Sequence, residues 1–428
     1  MIGKHGVLGL TMAVMMAVST FSAAYAELIK DSYIVTFKKA AEKELPLIEP
    51  PNKANRGMTP FGEHSSGQSK EKLAVRLNLK EGQVLSIFET INAIHVKMTA
   101  EEARKLRLDE RVLHVEQDMT TTAFLQNNPG WALDRLDEAT PTLDNTYNDT
   151  PFTGAGRTIY ILDTGLALGN ATVASEFGGR ASVIADINGG SGDDCVGHGT
   201  QVASIAAGNT YGVAKGATVL AVKITSMCTG NAWSSTSIAA FNWLAANAPV
   251  GTIVNWSHGY EDTSGTCTPF YDTALEAAIQ AAHDAGIIVV VPAGNDGCNT
   301  NDYSPTRIAA AFVVGATTQN RIWNGQDEKE SHSRTGWNIS AFAPGENIPA
   351  LDYTGVPTIV PYGTSFAAPY ISGIFATACQ AAAPYCESVT SAAPLYQALR
   401  GTGTLNTVVA TGGGPLTGAT SRFISKQW

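Results

Sequence analysis

The chain has 428 residues, a length that allows two or three domains. Its composition, with 44% hydrophobic and 15% charged residues, suits a large packed core and excludes an intrinsically disordered chain. The net charge of −10 argues against nucleic acid as a partner, because proteins that bind nucleic acids usually carry basic patches.

The first 26 residues have the pattern of an export signal. Lys4 supplies a positive charge, residues 7–18 are apolar, and Ala24-Tyr25-Ala26 fits a small-x-small cleavage site. We therefore expect a secreted, extracellular protein that in some cells would pass through a periplasm. The alternative is an uncleaved membrane anchor. No later stretch has the ~20 apolar residues that a transmembrane helix needs, so we predict no stable membrane span.

A small domain is predicted to follow this signal. Its elements, in chain order, are a strand at 32–37, a helix at 69–77, two extended runs between 84 and 98, a helix after Thr99 and a strand at 112–115. Thr99 and Glu102 have the spacing of a capping box. The β-α-β-β-α-β order is typical of a ferredoxin-like α+β domain. Residues 43–70 are predicted to be a loop, and the polar stretch at 119–128 a linker.

The rest of the chain alternates short β-branched runs with helical stretches. Strands are predicted at 158–162, 218–224, 252–256, 287–291 and 312–316, and helices at 198–207, 235–247, 272–285 and 365–380. Because buried apolar strands that alternate with helices form parallel sheets, we predict an α/β domain with helices on both faces of its sheet.

Three segments of this domain carry the side chains of an acyl-transfer site. Asp163 follows a buried strand, His198 begins a helix rich in small residues, and Ser365 follows a Gly turn that opens another helix. Functional groups of α/β sheets gather at the carboxyl ends of the strands. A serine is a poor nucleophile until a neighbouring base takes its proton, and a carboxylate must hold that base in the right tautomer.

A fourth segment supplies a donor for the negative charge that acyl transfer develops. Asn295 follows a predicted strand, and its Nδ2 could share this role with the backbone N–H of Ser365. The helix that begins at Ser365 would add the positive end of its dipole. The alternative is that Asn295 is only a turn residue before Asp296-Gly297.

These four segments, in this order, resemble the motifs of the subtilase family of serine peptidases, and most of all its proteinase K and aqualysin branch. The matching stretches are Ile161-Leu162-Asp163-Thr164-Gly165, Gly197-His198-Gly199-Thr200, Ala293-Gly294-Asn295 and Gly363-Thr364-Ser365. The resemblance covers residues 27 to 428. It implies a subtilisin-like fold and hydrolysis of proteins or peptides through an acyl-enzyme on Ser365, with no cofactor needed for catalysis and a monomeric enzyme.

The resemblance also accounts for the first domain. Residues 27–123 look like the inhibitor I9-type propeptide of the family, which helps the catalytic domain fold, inhibits it and is then removed. The catalytic domain would span residues 124–428. Autocatalytic maturation is expected between Met119 and Gln126.

Two segments match the family's substrate-binding strands but differ from its usual residues. With the residues that precede Asn295, they give the expected substrate-binding set: Asn231, Ala232, Trp233, Ser257, His258, Gly259, Tyr260, Ala293 and Gly294. The resemblance implies that the strands pair with the substrate backbone. His258 stands at the family's apolar pocket floor and Tyr260 at a pocket-edge glycine, so the usual broad apolar preference is in doubt. The alternative is that His258 and Trp233 only pack.

All six cysteines lie in the second domain. An even number in an exported chain predicts disulfides, and six cysteines allow 15 pairings. Sequence order favours Cys195–Cys228, Cys267–Cys298 and Cys379–Cys386. The first four of these cysteines match the pattern of the aqualysin-like branch. The alternative is that some are free buried thiols.

Four carboxylates cluster in the sequence near the expected mature N-terminus: Asp134, Asp137, Glu138 and Asp144. Hard cations favour several carboxylate oxygens, and the resemblance implies a structural Ca²⁺ at this position. A solvated acidic face is the alternative.

Three other functions agree less well with the sequence. An aspartic protease needs two carboxylates that share a proton, and no second Asp-Thr-Gly or Asp-Ser-Gly occurs. An α/β-hydrolase needs G-x-S-x-G around its serine, but residue 367 is Ala. A catalytically inactive binding protein on the same fold would not need the complete set of four site residues.

Overall fold

The structure is a computed structural model that describes residues 28–38, 67–88, 92–119, 125–226, 228–323, 325–402, 408–412, 416 and 422–424. The chain divides into two compact units, Met1–Ala123 and Phe124–Trp428. The expected export signal, most of the predicted loop at 43–70 and the middle of the predicted linker lie outside the described residues. No helix among the described residues is both long and apolar enough to span a bilayer.

The first unit is a four-stranded sheet with two helices. Its elements are β1 (Leu28–Phe37), α1 (Gly67–Arg76), β2 (Val84–Phe88), β3 (Ala93–Lys97), α2 (Ala100–Leu106) and β4 (Val112–Met119). The strand order is β2-β3-β1-β4 and every pair is antiparallel, as in a ferredoxin-like domain. The predicted capping box begins α2, where Thr99 N donates to Glu102 Oε2 at 2.7 Å and Glu102 N donates to Thr99 Oγ1. The predicted fold of this unit is confirmed.

The second unit begins with elements that lead to the centre of a large sheet. They are β5 (Leu125–Asn127), α3 (Trp131–Asp137), β6 (Thr146–Asn148), β7 (Thr158–Asp163), α4 (Ala171–Phe177), β8 (Ala181–Asp186), α5 (His198–Ala207), β9 (Thr218–Lys223), α6 (Ser234–Asn247) and β10 (Ile253–Asn255). The predicted linker therefore ends earlier than expected, because β5 pairs with β6.

The remaining elements complete the sheet and the helical layers. They are α7 (Thr273–Asp284), β11 (Ile288–Pro292), β12 (Phe312–Trp323), β13 (Gln326–Lys329), β14 (Ile339–Pro344), β15 (Glu346–Leu351), β16 (Pro357–Tyr362), α8 (Thr364–Ala381), α9 (Ala383–Ser388), α10 (Ala393–Thr402) and β17 (Val408–Val409). The large sheet has the order β17-β13-β12-β11-β10-β7-β9-β8, and β14 also pairs with β12.

The sheet is parallel except at one pair of strands. β13 runs antiparallel to β12, which makes the sheet mixed where a parallel one was predicted. All five residues of β11 are buried, and since strand side chains alternate between faces, both faces are covered. α5 and α8 pack on each other and on central strands, while α6 and α7 form a second pair that reaches β11. The predicted layers are thus confirmed.

Candidate active site

Asp163 is the last residue of the buried strand β7 and is fully buried itself. Its Oδ1 accepts from the backbone N–H of Thr164 at 2.7 Å and faces Nδ1 of His198 at 2.8 Å. Burial raises the pKa of Asp163, but the imidazoles of His198 and His258 outweigh it and hold the pKa well below its ordinary value. The carboxylate is therefore charged and fixed at the carboxyl edge of the sheet.

His198 is the first residue of α5 and lies against the turn that follows β7. A Cβ at Gly199 would come within 2.3 Å of the Gly165 carbonyl oxygen, so only glycine lets the helix start so close to the turn. Burial lowers the pKa of His198, but the charge of Asp163 raises it more, and the net pKa lies above its ordinary value. The ring also packs against Phe366, 5.2 Å between centroids.

Asp194 holds these two segments together and was missed by the sequence analysis. One carboxylate oxygen accepts from Thr164 Oγ1 at 2.9 Å and from the N–H of Gly197 at 2.8 Å, and the other accepts from the N–H and Oγ1 of Thr200. Thr164 Oγ1 in turn accepts from the N–H of Gly199. This buried network sets the position of His198 relative to Asp163, and only coordinates could reveal it, because a lone Asp near a Gly turn has no distinctive spacing.

Ser365 is the second residue of α8 and is half-buried. Its Oγ donates to the carbonyl oxygen of Ser257 at 3.2 Å, and Ser257 Oγ donates to the carbonyl oxygen of Ser365 at 2.8 Å. Among the described residues, no hydrogen bond joins the side chains of Ser365 and His198. The acid–base contact is therefore formed, and the base–alcohol contact requires Ser365 Oγ to turn away from Ser257. Such bonds often close only when substrate is bound.

Asn295 is oriented by the residue before Ser365. Its Oδ1 accepts from the N–H of Thr364 at 2.8 Å and from Thr364 Oγ1 at 2.9 Å, which directs the NH₂ group away from α8. Asn295 Nδ2 donates to Glu261 Oε1 at 2.8 Å. Gly294 has a φ of 106°, and a Cβ there would meet Arg334 at 2.6 Å, so glycine is required before Asn295. Glu261, an exposed residue that the sequence analysis did not single out, thus occupies the amide donor.

One cavity of about 480 Å³ connects these side chains. It is lined by His198, Asn295 and Ser365, by Glu261, and by seven of the expected substrate-binding residues: Asn231, Ser257, His258, Gly259, Tyr260, Ala293 and Gly294. Ala232 and Trp233 are not part of the lining. Ala232 makes an antiparallel bridge with Thr225, and Trp233 precedes α6 with 62% of its surface exposed.

The two substituted pocket residues lie in different surroundings. His258 Nε2 is 3.6 Å from Asp163 Oδ1, and its ring contacts those of His198 and Trp256. Tyr260 packs on Phe270, and burial together with a hydrogen bond to Asp272 raises the pKa of Tyr260 to about 12. His258 therefore lies beside the acid–base pair as well as along the cavity.

The six cysteines form three disulfides within the second unit, in the pairs that sequence order favours: Cys195–Cys228, Cys267–Cys298 and Cys379–Cys386. The first lies directly beside Asp194, and the second ties the loop after Glu261 to the segment after Asn295. Both brace walls of the cavity.

Three of the four expected calcium ligands come together. Carboxylate oxygens of Asp134, Glu138 and Asp144 lie within 4.8 Å of one another. Burial raises the pKa of Asp134 and, with the nearby charge of Asp144, that of Glu138. Asp137 is not in this group, since its Oδ2 accepts from the N–H of Asn148 and burial raises its pKa to about 6. A cation would relieve the mutual repulsion of the three clustered carboxylates.

Known proteins resemble both units of the chain. A model of the subtilase family matches residues 154–412, and one of the peptidase inhibitor I9 family matches residues 32–124. An extracellular serine proteinase of a Thermus species is 35% identical over 375 residues, which cover 87% of this chain and 86% of that protein. Alkaline serine exoprotease A of Vibrio alginolyticus is 33% identical over 376 residues, 86% of this chain and 62% of the relative.

A solved structure shares the fold of the second unit. A crystal structure of a cold-adapted subtilisin-like serine proteinase has a TM-score of 0.60 and 30% identity, with 71% of this chain and 100% of that chain covered. The subtilase match takes in more than half of the sequence, and the matched range contains the acid–base pair, the serine and the asparagine. The chain belongs to the subtilase family and is a serine peptidase with an I9-type propeptide domain.

Proposed function

We propose that the protein hydrolyses peptide bonds of protein substrates with Asp163, His198, Ser365 and Asn295 as its catalytic residues. The observation that carries this proposal is the 2.8 Å contact between Asp163 and His198, across one cavity from a serine at the start of a helix. This is the arrangement that a serine nucleophile needs.

In the proposed mechanism His198 transfers the proton of Ser365 to the leaving amine, while Asp163 stays charged and orients the imidazole. The buried carboxylate of Asp163 accepts from His198 Nδ1–H, which leaves Nε2 free to take the proton of Ser365 Oγ. Oγ then attacks the peptide carbonyl and forms an acyl-enzyme as the amine leaves with the proton from Nε2. Water, activated by the same imidazole, releases the acyl group.

Two donors would stabilise the oxyanion of each tetrahedral intermediate. One is Asn295 Nδ2. Thr364 orients this amide by donating two hydrogen bonds to its oxygen, Oδ1. The other is the backbone N–H of Ser365, which has no partner within α8 because it lies in the first turn. Asn295 Nδ2 must leave Glu261 to reach the oxyanion.

Substrate would bind in the cavity as an added strand beside residues 231–233 and 257–260. His258 and Tyr260 stand where the family has an apolar residue and a glycine, which supports a side-chain preference different from the family's usual broad apolar one.

The first unit would act as inhibitor and folding aid until it is removed. Since β5 pairs with β6 and Gln126 donates to the Thr210 carbonyl oxygen at 2.9 Å, residues from Leu125 onward belong to the second unit. We therefore narrow the expected cleavage to the segment between Met119 and Leu125, and N-terminal sequencing of the mature protein tests it. The matching I9 family supports the inhibitory role.

Three further properties belong to this proposal. Residues 1–26 would direct export and then be cleaved off, and the name of the Thermus relative describes that protein as extracellular. Asp134, Glu138 and Asp144 would hold a structural Ca²⁺, since hard cations prefer such oxygen clusters. The catalytic unit would act as a monomer.

Substitution of the nucleophile tests the proposal. Ser365→Ala should abolish peptide hydrolysis and labelling by a fluorophosphonate, while Ser388→Ala, at the exposed last residue of the short helix α9, should leave both intact. Circular dichroism and thermal melting check that each variant folds. Hydrolysis that survives in Ser365→Ala contradicts the mechanism, and a folded wild-type protein that takes no label supports an inactive binding protein instead.

A further inference from the structure

A histidine lies beside the proposed acid–base pair with one nitrogen unused. His258 Nε2 is buried and, among the described residues, has no hydrogen-bond partner; its 3.6 Å distance to Asp163 Oδ1 is too long for one. The other oxygen of the same carboxylate, Asp163 Oδ2, is also buried without a partner. Unpaired buried polar atoms are costly, so two of them on neighbouring side chains indicate a site for a ligand.

The chemistry of these atoms points to a metal ion. Ligand atoms of Asp163, His198 and His258 all lie within 4.8 Å of one another. Two imidazole nitrogens and one carboxylate oxygen are a donor set for Zn²⁺, whose ligands at 2.0–2.2 Å lie about 3–3.5 Å apart. The distances from Asp163 Oδ1 to the two imidazoles, 2.8 and 3.6 Å, need only small side-chain rotations to meet this geometry.

The site adjoins the main cavity. Both histidines line the main cavity, and their side chains are 25% and 15% exposed, whereas Asp163 is fully buried. A metal ion can therefore enter from the cavity and complete its tetrahedral coordination with water.

We propose that Asp163, His198 and His258 bind a divalent transition-metal ion such as Zn²⁺, and that this ion reversibly inhibits the peptidase. In the active tautomer, the ring proton of His198 is on Nδ1. When Nδ1 donates its lone pair to the metal, the neutral ring carries its one proton on Nε2 instead. Nε2 is the atom that must take the proton of Ser365, so the metal removes the base with only small rotations of the side chains that bind it.

The inhibitory role rests on the proposed function, but the metal site does not. Binding is therefore measured apart from activity, on a full-length Ser365→Ala protein that cannot digest itself. Zn²⁺ should compete for one site against a chromophoric chelator, and Co²⁺ should give the intense visible absorption of a four-coordinate ion and lose it when Zn²⁺ is added. Replacement of His258 by Leu in this background should abolish both signals.

Activity is compared as the ratio of kcat/KM with and without Zn²⁺, so that changes in basal rate cancel. In the wild type the ratio should fall as Zn²⁺ is added and recover with a chelator that binds Zn²⁺ in preference to Ca²⁺, while Ca²⁺ should have no such effect. In His258→Leu the inhibitory concentration of Zn²⁺ should rise by at least about 10–100-fold. His332→Leu removes another histidine that contacts a carboxylate, Glu330 at 2.8 Å, and should keep the wild-type ratio.

Each failure has a distinct meaning. Equal inhibition of the wild type and His258→Leu, or inhibition by Ca²⁺, overturns the site. Should His258→Leu fail to fold, a Co²⁺ spectrum of Ser365→Ala with only the weak absorption of six-coordinate cobalt overturns it as well. A one-to-one Zn²⁺ complex in a protein without peptidase activity would leave the metal site standing and contradict the proposed function.

Discussion

The two halves of the candidate active site differ in how complete they are without substrate. On one side, Asp163 and His198 are in contact and are held by a buried network through Asp194. On the other, Ser365 Oγ bonds to the Ser257 carbonyl and Asn295 Nδ2 to the Glu261 carboxylate. The first half is organised by the fold, whereas the proposed mechanism requires the second to exchange its protein partners for substrate.

The largest loss of activity is expected when the contact between Asp163 and His198 is disrupted. Asp163→Asn keeps the size of the side chain but removes the charge that stabilises the imidazolium, so kcat should fall by about 10⁴-fold. The residual activity should persist to lower pH, because Asp163 raises the pKa of His198 and the base is lost when the pH falls through that pKa. Stopped assays of kcat/KM against pH check both results.

A histidine–carboxylate pair that does not line the cavity provides the control for this variant. Asp284 Oδ1 lies 3.1 Å from His283 Nδ1 on α7, and Asp284→Asn should change neither kcat nor the pH profile. An unchanged pH profile in Asp163→Asn would mean that Asp163 does not set the titration of His198.

A smaller loss of kcat is expected from changes to Asn295, in the other half of the site. Asn295→Ala removes one oxyanion donor and should lower kcat by about 10²–10³-fold with little change in KM, a range known from subtilisin itself. Asn247→Ala, at the exposed end of α6, is the control. A rise in KM with kcat unchanged would show that Asn295 binds the ground state instead.

The sequence predicted best those elements whose residues are buried on every side. β7, β10 and β11 lie within one or two residues of their predicted bounds, because parallel strands covered on both faces are continuous apolar runs. β13 was missed because it is the charged stretch Gln326–Lys329. Its Asp327 is buried only because Arg135, far away in the chain, donates two hydrogen bonds to it.

The same limit applies to the site. Asp163, His198 and Ser365 lie at the end of a strand or the start of a helix, as predicted, and Asn295 follows β11 by three residues. Asp194 and Glu261 were missed because their roles depend on contacts over 30 residues or more along the chain. Local sequence spacing predicts which residues lie at the edge of the sheet. The residues that hydrogen-bond to them are set by tertiary packing, which local spacing does not contain.

The smallest change in kcat is expected for Glu261, and here kcat should rise where the other variants lower it. Glu261→Gln keeps an acceptor for Asn295 Nδ2 but removes the charge, and hydrogen bonds to charged groups are about twice as strong as neutral ones. The amide should then turn to the oxyanion more easily, so kcat on a substrate with neutral side chains should rise by up to about tenfold, which corresponds to about 1.4 kcal/mol.

Salt and a second glutamate make this prediction specific. Because Glu261 is exposed, high ionic strength should screen its charge and narrow the difference between variant and wild type. Glu387→Gln, which breaks an ion pair with Arg157 elsewhere on the surface, should leave kcat unchanged. A kcat in Glu261→Gln equal to or below that of the wild type would mean that the carboxylate orients Asn295 for the reaction, and that the second half of the site is as fully organised by the fold as the first.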